Sequence, residues 1–363
     1  MSFTDQFLNK IISSLNNNYS DNFDYMRYGQ GFNKLRYKTF SLIHNYIGRY
    51  YIRKSIINKF IHLLSGYTEK FEEVYSLYND KYSVELMVDL LAYYVMGQRY
   101  IKLNCNSPDY WTNIKKVEKI SQDDKRIESS FDGEKLTYHD LKMIGLPYEV
   151  YLNAVCIVRE FMLKQYEYQR YGMSIKADKD DIVIDAGACW GDTALYFAHE
   201  VGSKGKVYSF EFLPSNLKIL KNNLSLNPDF RKLIDIVERP VWSNSTDTVS
   251  YTGLGPGNKI VTNSSTKEEM VTTIAIDDFI EMQNIPKVDF IKMDIEGAEI
   301  PALKGAITTL KRDRPKLAIA IYHSIDDFVD IPRFINDLNL GYKFYLDHYT
   351  IHWEETILYA SID

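Results

Sequence analysis

Residues 181–212 read DIVIDAGACWGDTALYFAHEVGSKGKVYSFEF. The run opens as a short apolar strand over 181–187 and turns through Gly187 and Gly191. It continues as a helix over 192–202 that stops at a glycine, and a second strand, KVYSFEF, follows over 206–212. A strand, a helix and a strand in so short a stretch make the two strands parallel, because the helix carries the chain back along the sheet. Glycines at the first turn permit positive φ and close backbone approach, while the start of the helix presents N–H groups with no intrahelical partner.

The same rhythm continues downstream. PSNLKILKNNLSLN (214–227) is a helix with Pro214 in its first turn, and LIDIVERPV (233–241) and VDFIKMDI (288–295) are strands. A helix over 300–312, the strand KLAIAIYH (316–323) and a helix over 326–339 come next. GYKFYLDHYT (341–350) and ETILYA (355–360) have no helix between them. They form a hairpin, so the last strand lies antiparallel in an otherwise parallel sheet.

Upstream the period is helical. Phe3, Phe7, Leu8, Ile11, Ile12 and Leu15 share a face, and further helical runs cover 41–67, 81–97 and 154–172. The segment 101–150 is mixed and punctuated by glycine and proline. The expected organisation is a mainly helical N-terminal extension over 1–150 and an α/β domain over 151–363.

With 363 residues, 45% of them hydrophobic, the chain can bury a large core. A net charge of −6 argues against nucleic acid as the main partner. No apolar run approaches a membrane span and the first residues do not read as a leader. The three cysteines, Cys105, Cys156 and Cys189, are widely separated, which suits a reducing compartment, and the expected location is the cytoplasm.

The candidate ligand site lies at the carboxyl ends of the strands, where open α/β sheets bind ligands. Asp185, Gly187 and Gly191 shape the first loop, and Glu211 ends the second strand 24 residues after Gly187, where a carboxylate accepts both hydroxyls of a ribose. The glycine pattern of a dinucleotide site is broken, because Cys189 occupies the second glycine position. Asp185 is also unfavourable beside pyrophosphate. A ligand with a cationic part and no phosphate suits an acid there, and S-adenosylmethionine fits that description.

Four stretches, VIDAGACWGDTALYFA, FEFLPSNLKILKNNLSLN, VDFIKMDIEGAE and YKFYLDHYTIHWEETILYA, resemble the FkbM-type family of S-adenosylmethionine-dependent methyltransferases. KMDIEGAE is the most specific of them, and the resemblance covers about 165–363. It implies a class I methyltransferase, Rossmann-like sheet of seven strands with the last antiparallel. It also implies methyl transfer, most often to a hydroxyl on a sugar, glycan or natural-product scaffold. By the same resemblance Phe212 packs on the adenine, and Asp294 stands where the methyl donor projects.

Of the seven histidines, His323 and His348 sit at strand ends on the crevice side. His323 is the expected base, titrating near 6 to 7 beside Asp294, with His348 next in line. Tyr166, Tyr168 and Tyr171 lie just ahead of the first strand, where they can close over the cofactor. No cysteine–histidine set marks a zinc site and no metal is assigned, although magnesium on Asp294 and a neighbouring carboxylate stays open. Alternatives are N-methylation of an amine, a non-catalytic scaffold, and an NAD-linked or sugar-nucleotide oxidoreductase. The last is disfavoured because Tyr251 and Tyr322 have Gly255 and Asp326, not lysine, four residues on. The helical extension offers a surface for a second copy of the chain.

Overall fold

A computed structural model of the chain describes residues 1–17, 19, 22, 39, 49–129, 135–252, 259–261 and 270–362. It divides into two compact units, Met1–Ser107 with Tyr349–Glu354, and Pro108–His348 with Glu355–Asp363.

In the first unit, helices Phe3–Ser14, Arg49–Leu77 and Lys81–Met96 bury Phe3, Phe7, Phe71, Val74, Leu86, Met87, Val88, Leu90 and Leu91. The start of the first helix is capped from its neighbour, since Glu72 accepts from the N–H groups of Phe3 and Thr4 at 2.9 Å each. Its apolar stripe is narrower than expected. Phe3, Phe7 and Ile11, spaced by four, are buried, whereas Ile12 and Leu15 are exposed. The start of the expected second helical run, 41–48, lies outside the described residues. No helix among the described residues is long and apolar enough to cross a membrane.

The packing boundary at 107/108 differs from the expected division at 150 because the intervening segment is not mainly helical. Ser121–Glu128, Lys135–Asp140 and Glu149–Leu152 form an antiparallel sheet, and their unit is that of the main sheet. The helix expected over 154–172 is also short. It covers Ala154–Ile157, widens into a π-type turn over Val158–Met162, and gives way to a hairpin, Tyr168–Arg170 with Met173–Ile175. The two loop residues, Tyr171 and Gly172, both have positive φ (50° and 83°), as a type I′ turn requires.

The seven strands of the main sheet are β1 (Ile182–Ala186), β2 (Lys206–Phe210), β3 (Ile234–Val237), β4 (Phe290–Met293), β5 (Lys316–Ala320), β6 (Lys343–His348) and β7 (Thr356–Ser361). Their order is β3-β2-β1-β4-β5-β7-β6. β7 runs antiparallel to both β5 and β6, while the β1–β5 pairs are parallel. Every residue of β4 is buried, as expected for a strand covered on both faces. Register pairs Ala186 with both Met293 and Phe210, and Met293 with Ile319. The residues that follow, Gly187, Glu211 and Asp294, therefore leave the sheet along one edge. The strand order reverses between β1 and β4, the place where such sheets open a crevice.

Candidate active site

A pocket of about 250 Å³ opens at this edge within the second unit. The structure brings Gly187, Glu211, Phe212 and Asp294 to its wall. Asp185 and Gly191 shape the loop from behind. Asp185 is fully buried, accepting from Thr193 Oγ1 (2.9 and 3.0 Å) and Ser209 Oγ (3.1 Å). Its register partner on β4 is Lys292, whose Nζ lies 3.2 Å from Asp185 Oδ1 and donates to the carbonyl of Gly187 at 2.6 Å. This buried pair, with Lys292 only 1% exposed, fixes the loop. Both charges are satisfied by hydrogen bonds, the condition under which a buried pair is tolerated. Asp185 is thus engaged by protein groups, not facing a cationic ligand.

Gly187 has φ +89°, and a Cβ there would stand 1.9 Å from the carbonyl oxygen of Asp294. Only glycine lets β1 turn this close to the end of β4. Gly191 (φ +86°) begins the helix Asp192–Val201 and lies over Leu220.

Glu211 is nearly buried. Its Oε1 accepts from the N–H groups of Phe212 (2.6 Å) and Leu213 (2.8 Å), and Oε2 from Asn216 Nδ2 (3.0 Å). Burial raises its pKa, against those three donors. Three of about four lone-pair sites are used, which leaves acceptor capacity at the pocket wall. Three further buried atoms on wall residues have no hydrogen-bond partner among the described residues: Trp190 Nε1, Asn216 Oδ1 and Glu160 Oε2. Unpaired buried polar groups are costly and point to a ligand with both donors and acceptors. Glu160 stands on the π-type turn, where Arg159 Nε donates to its Oε1 at 2.8 Å and Arg159 Nη1 pairs with Glu355. Burial pushes the Glu160 carboxyl up to about 8 despite Arg159.

Asp294 forms the inner wall. Tyr166 donates to its Oδ2 at 3.2 Å and Tyr322 to its Oδ1 at 3.1 Å, and His323 Nε2 lies 3.3 Å from Oδ1. Burial favours the neutral acid, but His323 and Lys292 outweigh it and hold the carboxyl at about 2. Glu296, also on the wall, has φ +59°, and burial with its acidic neighbours pushes it up to about 8.

The two histidines do not stand where the sequence reading put them. β5 ends at Ala320, and the chain beyond it turns the His323 side chain, 4% exposed, behind Asp294 and off the pocket wall. Nδ1 lies 3.2 Å from Glu299 Oε1, and Nε2 3.5 Å from Glu296 Oε2. Burial opposes the charged ring, yet Asp294 and Glu299 raise its pKa to about 11. That corrects the expectation of a base titrating near 6 to 7. His348 is buried in the β6–β7 hairpin, with Nδ1 2.9 Å from Thr356 Oγ1, and is also absent from the wall. Of the three tyrosines, Tyr166 reaches the pocket. Tyr168 is buried between the rings of Tyr345 and Tyr359, and Tyr171 is 78% exposed at the hairpin tip.

Sequence reasoning missed Arg159, Glu160, Trp190, Asn216, Lys292 and Glu355. Only Lys292 left a readable sign, a lysine inside an otherwise apolar strand.

This strand order, with a pocket at the β1–β4 reversal, a carboxylate after β2 and an acid after β4, defines a class I methyltransferase fold. Residues 185–344 match the family model described as the methyltransferase FkbM domain. The hexuronic acid methyltransferase AglP of Haloferax volcanii is 26% identical over 167 residues, which are 46% of this chain and 66% of that protein. The crystal structure of methyltransferase FkbM from Methylobacillus flagellatus KT superposes with a TM-score of 0.51 and 22% identity, covering 80% of this chain and 58% of that one. The chain thus spans just under two thirds of the first relative and under three fifths of the second.

Proposed function

We propose that the pocket binds S-adenosylmethionine and that the chain methylates a hydroxyl on a sugar, glycan or related small molecule. One observation carries this reading: Gly187, Glu211 and an ionised Asp294 meet on one wall at the reversal of the sheet. The wall residues suit the cofactor. Burial disfavours charge on two of the six wall carboxyls, Glu160 and Glu296, and the other four (Asp192, Glu211, Asp294, Glu355) face three cationic side chains (Arg159, Arg239, Lys292), a balance that accepts a sulfonium carrying an ammonium group. Glu211 offers its remaining acceptor capacity to ribose hydroxyls. Trp190 Nε1 and Asn216 Oδ1 supply a donor and an acceptor, Arg159 can hold the carboxylate of the amino-acid tail, and the unpaired Oε2 of Glu160 can accept from its ammonium group.

When bound, S-adenosylmethionine supplies a methyl group on a cationic sulfur. Asp294, kept ionised by its neighbours, would accept a hydrogen bond from the acceptor hydroxyl and orient its lone pair, and the hydroxyl proton would leave to water as the O–CH₃ bond forms and the S–CH₃ bond breaks. With a pKa of about 2 it is a weak base, so its contribution is positioning and charge. The relative that methylates a hexuronic acid supports a saccharide acceptor. The same balance of four carboxyls to three cations favours, as a second reading, a cationic amine over an acidic sugar.

Calorimetry with S-adenosylhomocysteine, with NAD as the comparison, tests the cofactor. The Glu211→Ala variant should bind S-adenosylhomocysteine about 1.5–3 kcal/mol more weakly, the scale of a hydrogen bond to a charged group. Absence of any heat in the parent protein sinks the reading. Labelled-methyl transfer to neutral sugars, uronic acids and amines then separates the acceptors.

A further inference from the structure

Behind Asp294 on the pocket wall stand two side chains that methyl transfer as described leaves unused, Glu299 and His323. Asp294 follows β4, Glu299 opens the helix Glu299–Lys304, and His323 follows β5, the parallel neighbour of β4. One donor atom from each lies within 4.8 Å of the other two. Glu299 is 1% exposed and His323 4%, so the cluster is closed to bulk water on its inner side.

The polar contacts inside the cluster are incomplete. Carboxylate oxygens approach both ring nitrogens of His323 at 3.2–3.5 Å, yet neither nitrogen makes an aligned hydrogen bond. Glu299 Oε2 is buried with no hydrogen-bond partner, while its Oε1 is held by the N–H of Ile295 at 2.9 Å. With one donor atom of each side chain within 4.8 Å of the other two and buried atoms of Glu299 and His323 left without an aligned hydrogen bond, the cluster has the composition and spacing of a ligand set. A histidine and carboxylates that only paired would align their N–H and oxygen along one line.

We propose that Asp294, Glu299 and His323 form a binding site for a first-row divalent cation of the manganese or zinc type. One imidazole nitrogen with two carboxylate oxygens is a mixed set, which suits these ions better than calcium or magnesium, whose preference is for oxygen alone. Bond lengths of about 2.0–2.2 Å require only that the three side chains close in slightly. Tyr166 and Tyr322, which donate to Asp294, and Ile295 N–H, which holds Glu299, are the outer contacts that fix the ligands in place. Glu296, 3.5 Å from His323 Nε2, places a further carboxyl beside the cluster. The site stands on this cluster alone and does not depend on the methyl-transfer reading.

The full chain, stripped with a chelator and titrated with manganese(II), tests the site through loss of the free-ion electron paramagnetic resonance signal. One ion per chain is expected, displaced by zinc(II). His323→Gln and Glu299→Gln should each weaken binding at least about tenfold. At one manganese concentration the melting temperature of the parent should rise more than that of either variant. If one variant does not fold by circular dichroism, the other carries the comparison. No saturable binding of manganese(II) or zinc(II) to the parent overturns the proposal. So does unchanged affinity in a folded variant.

Discussion

Asp294 shows how one side chain can be committed by its neighbours. Two tyrosine hydroxyls and the His323 ring surround its carboxylate, so it stays charged although it is largely buried. Asp294→Asn keeps the shape and removes the charge. Methyl transfer should fall about 10²–10³-fold in kcat, the scale for one electrostatic group at a reacting centre. Affinity for S-adenosylhomocysteine should change little, because that ligand has lost the reacting methyl. Unimpaired turnover by the asparagine variant removes Asp294 from the reaction. Glu160 makes the opposite case, an acid kept neutral by burial up to a pKa of about 8. Unfolding restores the ordinary value of 4.5, so the folded chain holds this proton more tightly than the unfolded one. The resulting stability is complete below about pH 4.5 and is lost as pH rises through about 8, by up to a few kcal/mol. Glu160→Gln cannot ionise, and its melting temperature should decline less between pH 5 and 9 than that of the parent. Parallel declines in the two proteins would show that Glu160 does not titrate in this range.

The turn between β1 and its helix is the element on which the pocket rests. Gly187 and Gly172 have nearly the same positive φ, +89° and +83°, but differ in their surroundings. A Cβ at Gly172 meets nothing within 4 Å, so Gly172→Ala should cost only backbone strain, about 1–2 kcal/mol. At Gly187 the Cβ meets the Asp294 carbonyl at 1.9 Å, and Gly187→Ala should cost about 3 kcal/mol or more as β1 and β4 separate. Chemical denaturation of both variants checks the order; equal losses would mean that contact with Asp294 does not matter. This turn was legible in the sequence because an apolar run, two glycines and an amphipathic segment follow from local chemistry. So was the closing hairpin, since no helix fits between its strands. The pair Asp185–Lys292 was not, because the two residues are 107 positions apart and meet only through register. Nor was the place of His323: the last paired residue of β5 is three positions earlier, and a short turn is enough to move a side chain from wall to interior. The hairpin after Met162 stayed hidden because its turn uses Tyr171, not asparagine, at a positive φ.

At the scale of the whole chain, the division of labour follows the two compact units. Every wall residue of the pocket belongs to the unit of Pro108–His348 and Glu355–Asp363. The wall draws on segments far apart in sequence: the turn around Arg159, the loops after β1, β2 and β4, and Glu355 just before the last hairpin strand. A ligand that bridges them ties distant parts of one unit together, and its binding energy then opposes their local opening. Hydrogen exchange measured with and without S-adenosylhomocysteine should therefore show gained protection in 153–160, 187–193, 210–216 and 292–296. The helices Phe3–Ser14 and Lys81–Met96 should exchange at unchanged rates, because they supply no wall residue. Protection gained in those helices and absent from the four segments would place the ligand elsewhere. Protection limited to 187–193 and 210–216 would be a narrower failure. It would keep the nucleoside site and remove Arg159, Glu160 and Asp294 from contact with the amino-acid and sulfur end.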